Sequence, residues 1–159
     1  MTPKKELYLS VRDQIGTVTG IEYIDINRNQ FGPGKENYPQ YYTASLIRIT
    51  GITWETMVEQ LQEGLATVEV ILYTLDGFAN QLFGTMDEDD GLTEIDLIDD
   101  ITDKLQFLEG SSFRPLQQID EGSIDTDIEG MMAYRMTFNC LVYRKTASRY
   151  TKVQNPFKQ

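Results

Sequence analysis

The chain has 159 residues, with 25 acidic side chains against 14 basic ones, no histidine and one cysteine. That length suits a single domain able to bury about two-thirds of its unfolded surface, and 40% hydrophobic residues mark it as globular rather than disordered. A formal charge of −11 disfavours an autonomous nucleic-acid binder; the lack of histidine removes Ser–His and Cys–His nucleophile pairs and His-ligated metals; one cysteine excludes an internal disulfide and a multi-cysteine zinc site.

In chain order, the first predicted element is a helix over residues 3–15. Thr2 is placed to cap it, Pro3 takes the first helical position, Leu7, Val11 and Ile15 recur every four residues, and Gly16 is a stop. Residues 21–26 are β-rich. Residues 27–40, with Gly32-Pro33-Gly34 and Tyr38-Pro39, predict a long exposed loop, and residues 41–50 a second strand. Residues 51–64 are ambiguous. Thr56 and Glu59 have the spacing of a capping box inside a short helix over 53–62, yet the segment reads equally as a strand end and a loop carrying Trp54. Over 66–73, Ala66, Val68, Val70 and Leu72 alternate with Thr67, Glu69, Ile71 and Tyr73.

Residues 76–91 predict a linker. A second amphipathic helix follows over 93–108, with Ile95, Ile98, Ile101, Leu105 and Leu108 as its apolar stripe and Gly110 as its close. Residues 113–120 predict an edge or bulged strand because of Pro115. Residues 132–143 alternate most regularly of all, and residues 146–159 predict a basic C-terminal arm beyond a domain of residues 1–145. Strands follow one another without intervening helices, so the predicted fold is α+β: a mainly antiparallel sheet of four to six strands with two amphipathic helices on one face.

The charge is unevenly spread. Residues 1–75 carry a net −3, residues 76–130 a net −14, and residues 131–159 a net +6. Such asymmetry points to interaction surfaces. The acidic run Asp87, Glu88, Asp89, Asp90 before Gly91 is no EF-hand loop. With Gly91 at the sixth position, Met86 falls at the first and Leu97 at the twelfth. Asp96, Asp99, Asp100 and Asp103 lie off the apolar stripe of the second helix, as solvated acids do, and with Asp87–Asp90 they form a candidate acidic surface. Gly32-Pro33-Gly34-Lys35 lacks the ending of a phosphate loop. Cys140 falls on the apolar face of the last strand, as a buried hydrophobe. No catalytic residue, cofactor or metal site is predicted. Neither a signal peptide nor an apolar run long enough to span a membrane is present, and the chain is expected to be made in the cytosol.

Loop aromatics carry the functional signal. Phe31, Tyr38, Trp54, Phe78 and Phe83 either fold back over the sheet or anchor contacts with other subunits. Arg144, Lys145 and Arg149, in the basic end of the chain, are candidates to meet the acidic surface of a neighbouring copy.

Several stretches together resemble the tail-terminator family of long-tailed bacteriophages. They are the opening helix with Leu7, Val11 and Ile15, then Gly20-Ile21-Glu22-Tyr23-Ile24-Asp25, Tyr38-Pro39 before a strand, the Trp54 region, the strand over 66–73, the acidic helix around Glu94-Ile95-Asp96-Leu97-Ile98-Asp99-Asp100-Ile101, and the long final strand. The resemblance runs to about residue 145. It implies an α+β fold assembled as a six-fold ring that caps the tail tube, ends its polymerisation and joins it to the head in the virion. The tube protein and the head-completion protein would be its partners, and DNA would pass through without specific binding. Another head–tail connector component, or a small cytosolic protein-binding module, is the alternative.

Overall fold

A computed structural model of the chain describes residues 1–32, 43–58, 60–75, 92–126 and 131–147. Its elements are α1 (Pro3–Ile15), β1 (Tyr23–Ile26), β2 (Thr43–Val58), β3 (Leu61–Leu75), α2 (Leu92–Leu105), β4 (Gln117–Ile124) and β5 (Met131–Lys145). The strands form one sheet in the order β1-β2-β3-β5-β4. β1 runs parallel to β2; the other three pairings are antiparallel.

α1 forms where its capping signals place it. The Lys5 amide donates to Thr2 Oγ1 at 3.4 Å, and Leu7, Val11 and Ile15 are buried on one side. Together with Leu97, Ile101 and Leu105 of α2 they cover one face of the sheet, against Ile47, Val68, Val70, Leu72, Met136, Phe138 and Val142. Each fully buried side chain of this size contributes about 1.5–3 kcal/mol. This is the predicted α+β arrangement, with both helices in one layer.

The sheet also buries residues on its helix-free face at the end nearest β1. Ala44, Leu46, Ile71 and Ala133 are buried there, and the Phe31 ring stands edge-on to Tyr73 with centroids 4.9 Å apart. The first half of β2 is therefore covered on both sides, which explains its run Ala44-Ser45-Leu46-Ile47.

The open reading of residues 51–64 is decided for strand, and several expectations are corrected. Residues 51–64 hold no helix. β2 continues to Val58 and pairs with β3 until Val58↔Leu61, because its β-branched and aromatic side chains suit a pleated surface and each position has a cross-strand partner. The buried line of α2 is Leu97, Ile101 and Leu105, while Ile95 is 55% exposed. α2 ends at Leu105 rather than at Leu108; Phe107 takes a left-handed conformation (φ 64°) and its amide donates to the Leu116 carbonyl. Phe113 makes only an isolated bridge to Val142, so β4 starts later, at Gln117. Arg144 and Lys145 are strand residues of β5, and the Thr146 amide extends the ladder to the Gln60 carbonyl, so the basic end of the chain is held to the sheet at least that far.

Candidate interaction surfaces

Beyond the helices, β2, β3 and β5 run on together as a three-stranded blade. On its helix-side face Trp54 is half-buried. The Arg144 guanidinium lies 4.2 Å above the indole, and its Nε and Nη2 donate to Gln62 Oε1 at 3.1 and 2.6 Å. Gly64 pairs with Trp54 across the ladder, and a Cβ there would stand 2.7 Å from Ile52 Cγ2 and 2.8 Å from the indole Cε3. The strand is thus cut back at one residue to seat the ring. On the other face Leu65 and Leu141 are register partners and are 48% and 37% exposed; at the tip Met57 and Val58 are 53% and 62% exposed.

The two edges of the sheet carry opposite charge. On the α2–β4 side, Asp96, Asp99, Asp100 and Asp103 are exposed on α2, with Glu121 and Asp125 exposed beside them on and after β4. Asp120 is held by Arg135 at 3.0 Å. On the α1–β2 side three acids, Glu6, Asp13 and Asp25, are held by neighbouring groups. Asp13 binds Arg12 at 2.7 Å, and Asp25 accepts from the Tyr23 hydroxyl at 2.9 Å and lies 3.6 Å from Arg28. Glu6 accepts from the Ser111 amide at 2.7 Å and from the hydroxyls of Ser111 and Ser112 at 2.8 and 2.5 Å. The Ser112 hydrogen bond is the main cause holding the Glu6 carboxyl below its ordinary value, with those from Ser111 adding to it against partial desolvation. Lys4, Lys5 and Arg48, which have no ion pair among the described residues, line a groove of about 540 Å³ between α1 and β2 together with Tyr8, Ile26, Ile47 and Ile49.

Of the sequence-predicted positions, Phe31 packs on the sheet, Trp54 and Arg144 stack on each other, and Lys145 is exposed at the end of β5. Tyr38, Phe78, Phe83, Arg149 and Asp87–Asp90 lie outside the described residues. Burial pushes the Cys140 thiol up to about 12, so it stays protonated at neutral pH. Among the described residues no three acidic or thiol side chains converge to hold a metal ion, and no helix is long and apolar enough to cross a membrane.

Sequence reasoning missed the Glu6 clasp, the Leu65–Leu141 pair and the Lys4–Lys5–Arg48 rim. The leucines alternate correctly with Ala66 and Cys140 and were legible as a second face. The clasp joins residues about a hundred positions apart and leaves no local signal.

The geometry defines a two-layer α+β domain with an apolar blade and oppositely charged sheet edges. No protein-family model matches the chain, and no curated protein does either.

Proposed function

We propose that this chain is a structural ring subunit of a phage tail or neck. The ring caps the tail tube, ends its polymerisation and offers its other face to the head-completion protein, in the virion. Its mechanism is geometric and catalyses no reaction. The observation that carries this reading is the blade. Exposed Leu65, Leu141, Met57 and Val58 stand beyond the helical layer, an apolar surface of the kind that marks protein–protein contact. The order of elements that resembles the tail-terminator family supports the same reading. An acidic surface supports it as well, since a lumen lined with carboxylates repels the phosphates of passing DNA instead of trapping them.

Electron microscopy of tails made without this protein tests the proposal. Overlong tubes are the expected result; tails of normal length that lack heads would assign the chain to a head-joining role instead. Normal, head-bearing particles would overturn both.

A further inference from the structure

We infer that the outer edge of β2 beyond β1 is a strand-addition site, and that its occupant is the β4 edge of a second copy of this chain.

The backbone makes the first argument. Glu22 and Asn27 amides donate to the carbonyls of Thr43 and Ile47, so odd-numbered positions of β2 face β1. β1 pairs with β2 only as far as Ile47. An extra residue enters β2 between Ile49 and Gly51, which shifts the alternation by one. Beyond it Gly51, Thr53 and Glu55 bond to β3, and Ile52, Trp54 and Thr56 turn their N–H and C=O groups outward. Proteins usually guard such an edge with lysine, proline, a bulge or a short strand, and here the bulges at Ile49/Gly51 and Thr56/Val58 leave a regular stretch between them. Residues 49–58 contain neither lysine nor proline, and Glu55 is their single charge. Among the described residues nothing pairs with this edge, so its outward N–H and C=O groups are open to a further strand.

Charge and direction choose the occupant. The groove where β1 ends is rimmed by Lys4, Lys5 and Arg48. The opposite edge of the same sheet, β4, presents Glu121 and Asp125, with the exposed acids of α2 behind it. β4 is separated from β2 by three antiparallel steps, so it runs opposite to β2. A copy set alongside in the same orientation, stepped along the strand past β1, therefore lays its β4 antiparallel to the free stretch of β2. Its acids then approach the basic rim. The contact is heterologous, the kind that closes into a ring.

This inference rests on the reading of the chain as a ring subunit, and its test is separate from the tube-length assay. Oligomeric state is measured by light scattering for the full chain, for Thr56→Pro, for Lys4→Glu with Lys5→Glu, and for Glu121→Lys with Asp125→Lys. Proline at Thr56 removes an outward donor and no ladder bond, so helix and strand content by circular dichroism should stay as in the parent. The expected result is loss of the higher-mass species in each variant, and its return when the two charge-reversed chains are mixed. A Thr56→Pro chain that fails to fold leaves the mixing experiment, which touches no ladder bond, to decide. Assembly unchanged in all variants, a parent chain that stays monomeric, or no recovery on mixing would each overturn the inference. Overlong tubes seen alongside unaffected assembly would overturn this interface and leave the ring reading standing.

Discussion

Strands β2, β3 and β5 pass through two environments within one ladder. Near β1 they lie under α1 and α2, with Val70, Leu72 and Met136 fully buried, and even the helix-free face is closed over Leu46 and Ile71. In the blade no helix among the described residues lies above the same strands, and Leu65, Leu141, Met57 and Val58 keep a third to more than half of their surface in water. Backbone pairing is continuous through both halves, so hydrogen bonding does not distinguish them. What differs is apolar burial. The covered half supplies folding energy, and the blade leaves apolar side chains exposed.

The largest test of that division lies in the covered half. Phe138 is fully buried opposite Val68, and Phe138→Ala should cost about 3–5 kcal/mol in urea unfolding. A cost below about 1 kcal/mol would mean that the helices do not anchor the sheet through this layer. Next comes the boundary between the halves. Gly64→Val drives a branched side chain into Ile52 and Trp54, and overpacking of this kind costs about 1–3 kcal/mol. Trp54 emission should shift in the folded state; an unmoved spectrum with unchanged stability would show that the indole has room to give way.

That glycine also shows why the hairpin was hard to see in the sequence. Gly51 and Gly64 look like the two ends of a loop, and between Val58 and Leu61 stand Glu and Gln rather than Asn-Gly or another turn pair. Gly64 is in fact an interior strand residue, chosen because Trp54 occupies the space across from it, and that is a tertiary cause without local trace. α1 was legible residue by residue because its cap, its proline and its four-residue repeat are all local. α2 was legible as a helix, with Ile101 and Leu105 buried and Ile98 and Leu108 packed on the core as expected, but Leu97 takes the place of Ile95. Isoleucine recurs at helical spacing on two neighbouring rows, and only the position of the sheet selects Leu97 over Ile95. The charged edges were half legible. The described part of the acidic stretch, in α2 and β4, lies on one edge, whereas Lys4, Lys5 and Arg48 belong to α1 and β2 and not to the basic C-terminal stretch of the sequence.

Within the blade, folding effects should be small. Arg144→Ala removes a cation from the Trp54 ring and should cost about 0.5–1 kcal/mol, the range for exposed cation–π pairs. Arg144→Gln should recover none of it; full recovery would assign the effect to packing of the stem alone. The Glu6 clasp ties α1 to the turn after α2, and its contribution through ionisation is present at neutral pH and is lost in acid. Because folding lowers the Glu6 pKa, its stabilisation is complete above the ordinary value of 4.5 and is lost as pH falls through the folded value. Glu6→Gln should therefore flatten the acid limb of the stability curve. Parent and variant falling in parallel below pH 4.5 would show that the clasp adds nothing through ionisation.

The smallest folding effect carries the most information. Leu65 and Leu141 face each other on the open side of the blade, so Leu65→Ser and Leu141→Ser remove apolar surface that is already substantially in water. Exposed substitutions of this sort stay within about 0.5 kcal/mol. Were the blade an ordinary exposed sheet, the double variant would melt and sediment like its parent. If it is held in reserve for a partner, the same double variant should fold normally and lose assembly. That pairing of outcomes cannot arise in the covered half, where any change large enough to alter a contact also alters the fold. A double variant that loses stability and assembly together would place Leu65 and Leu141 with the core and remove the distinction between the two halves.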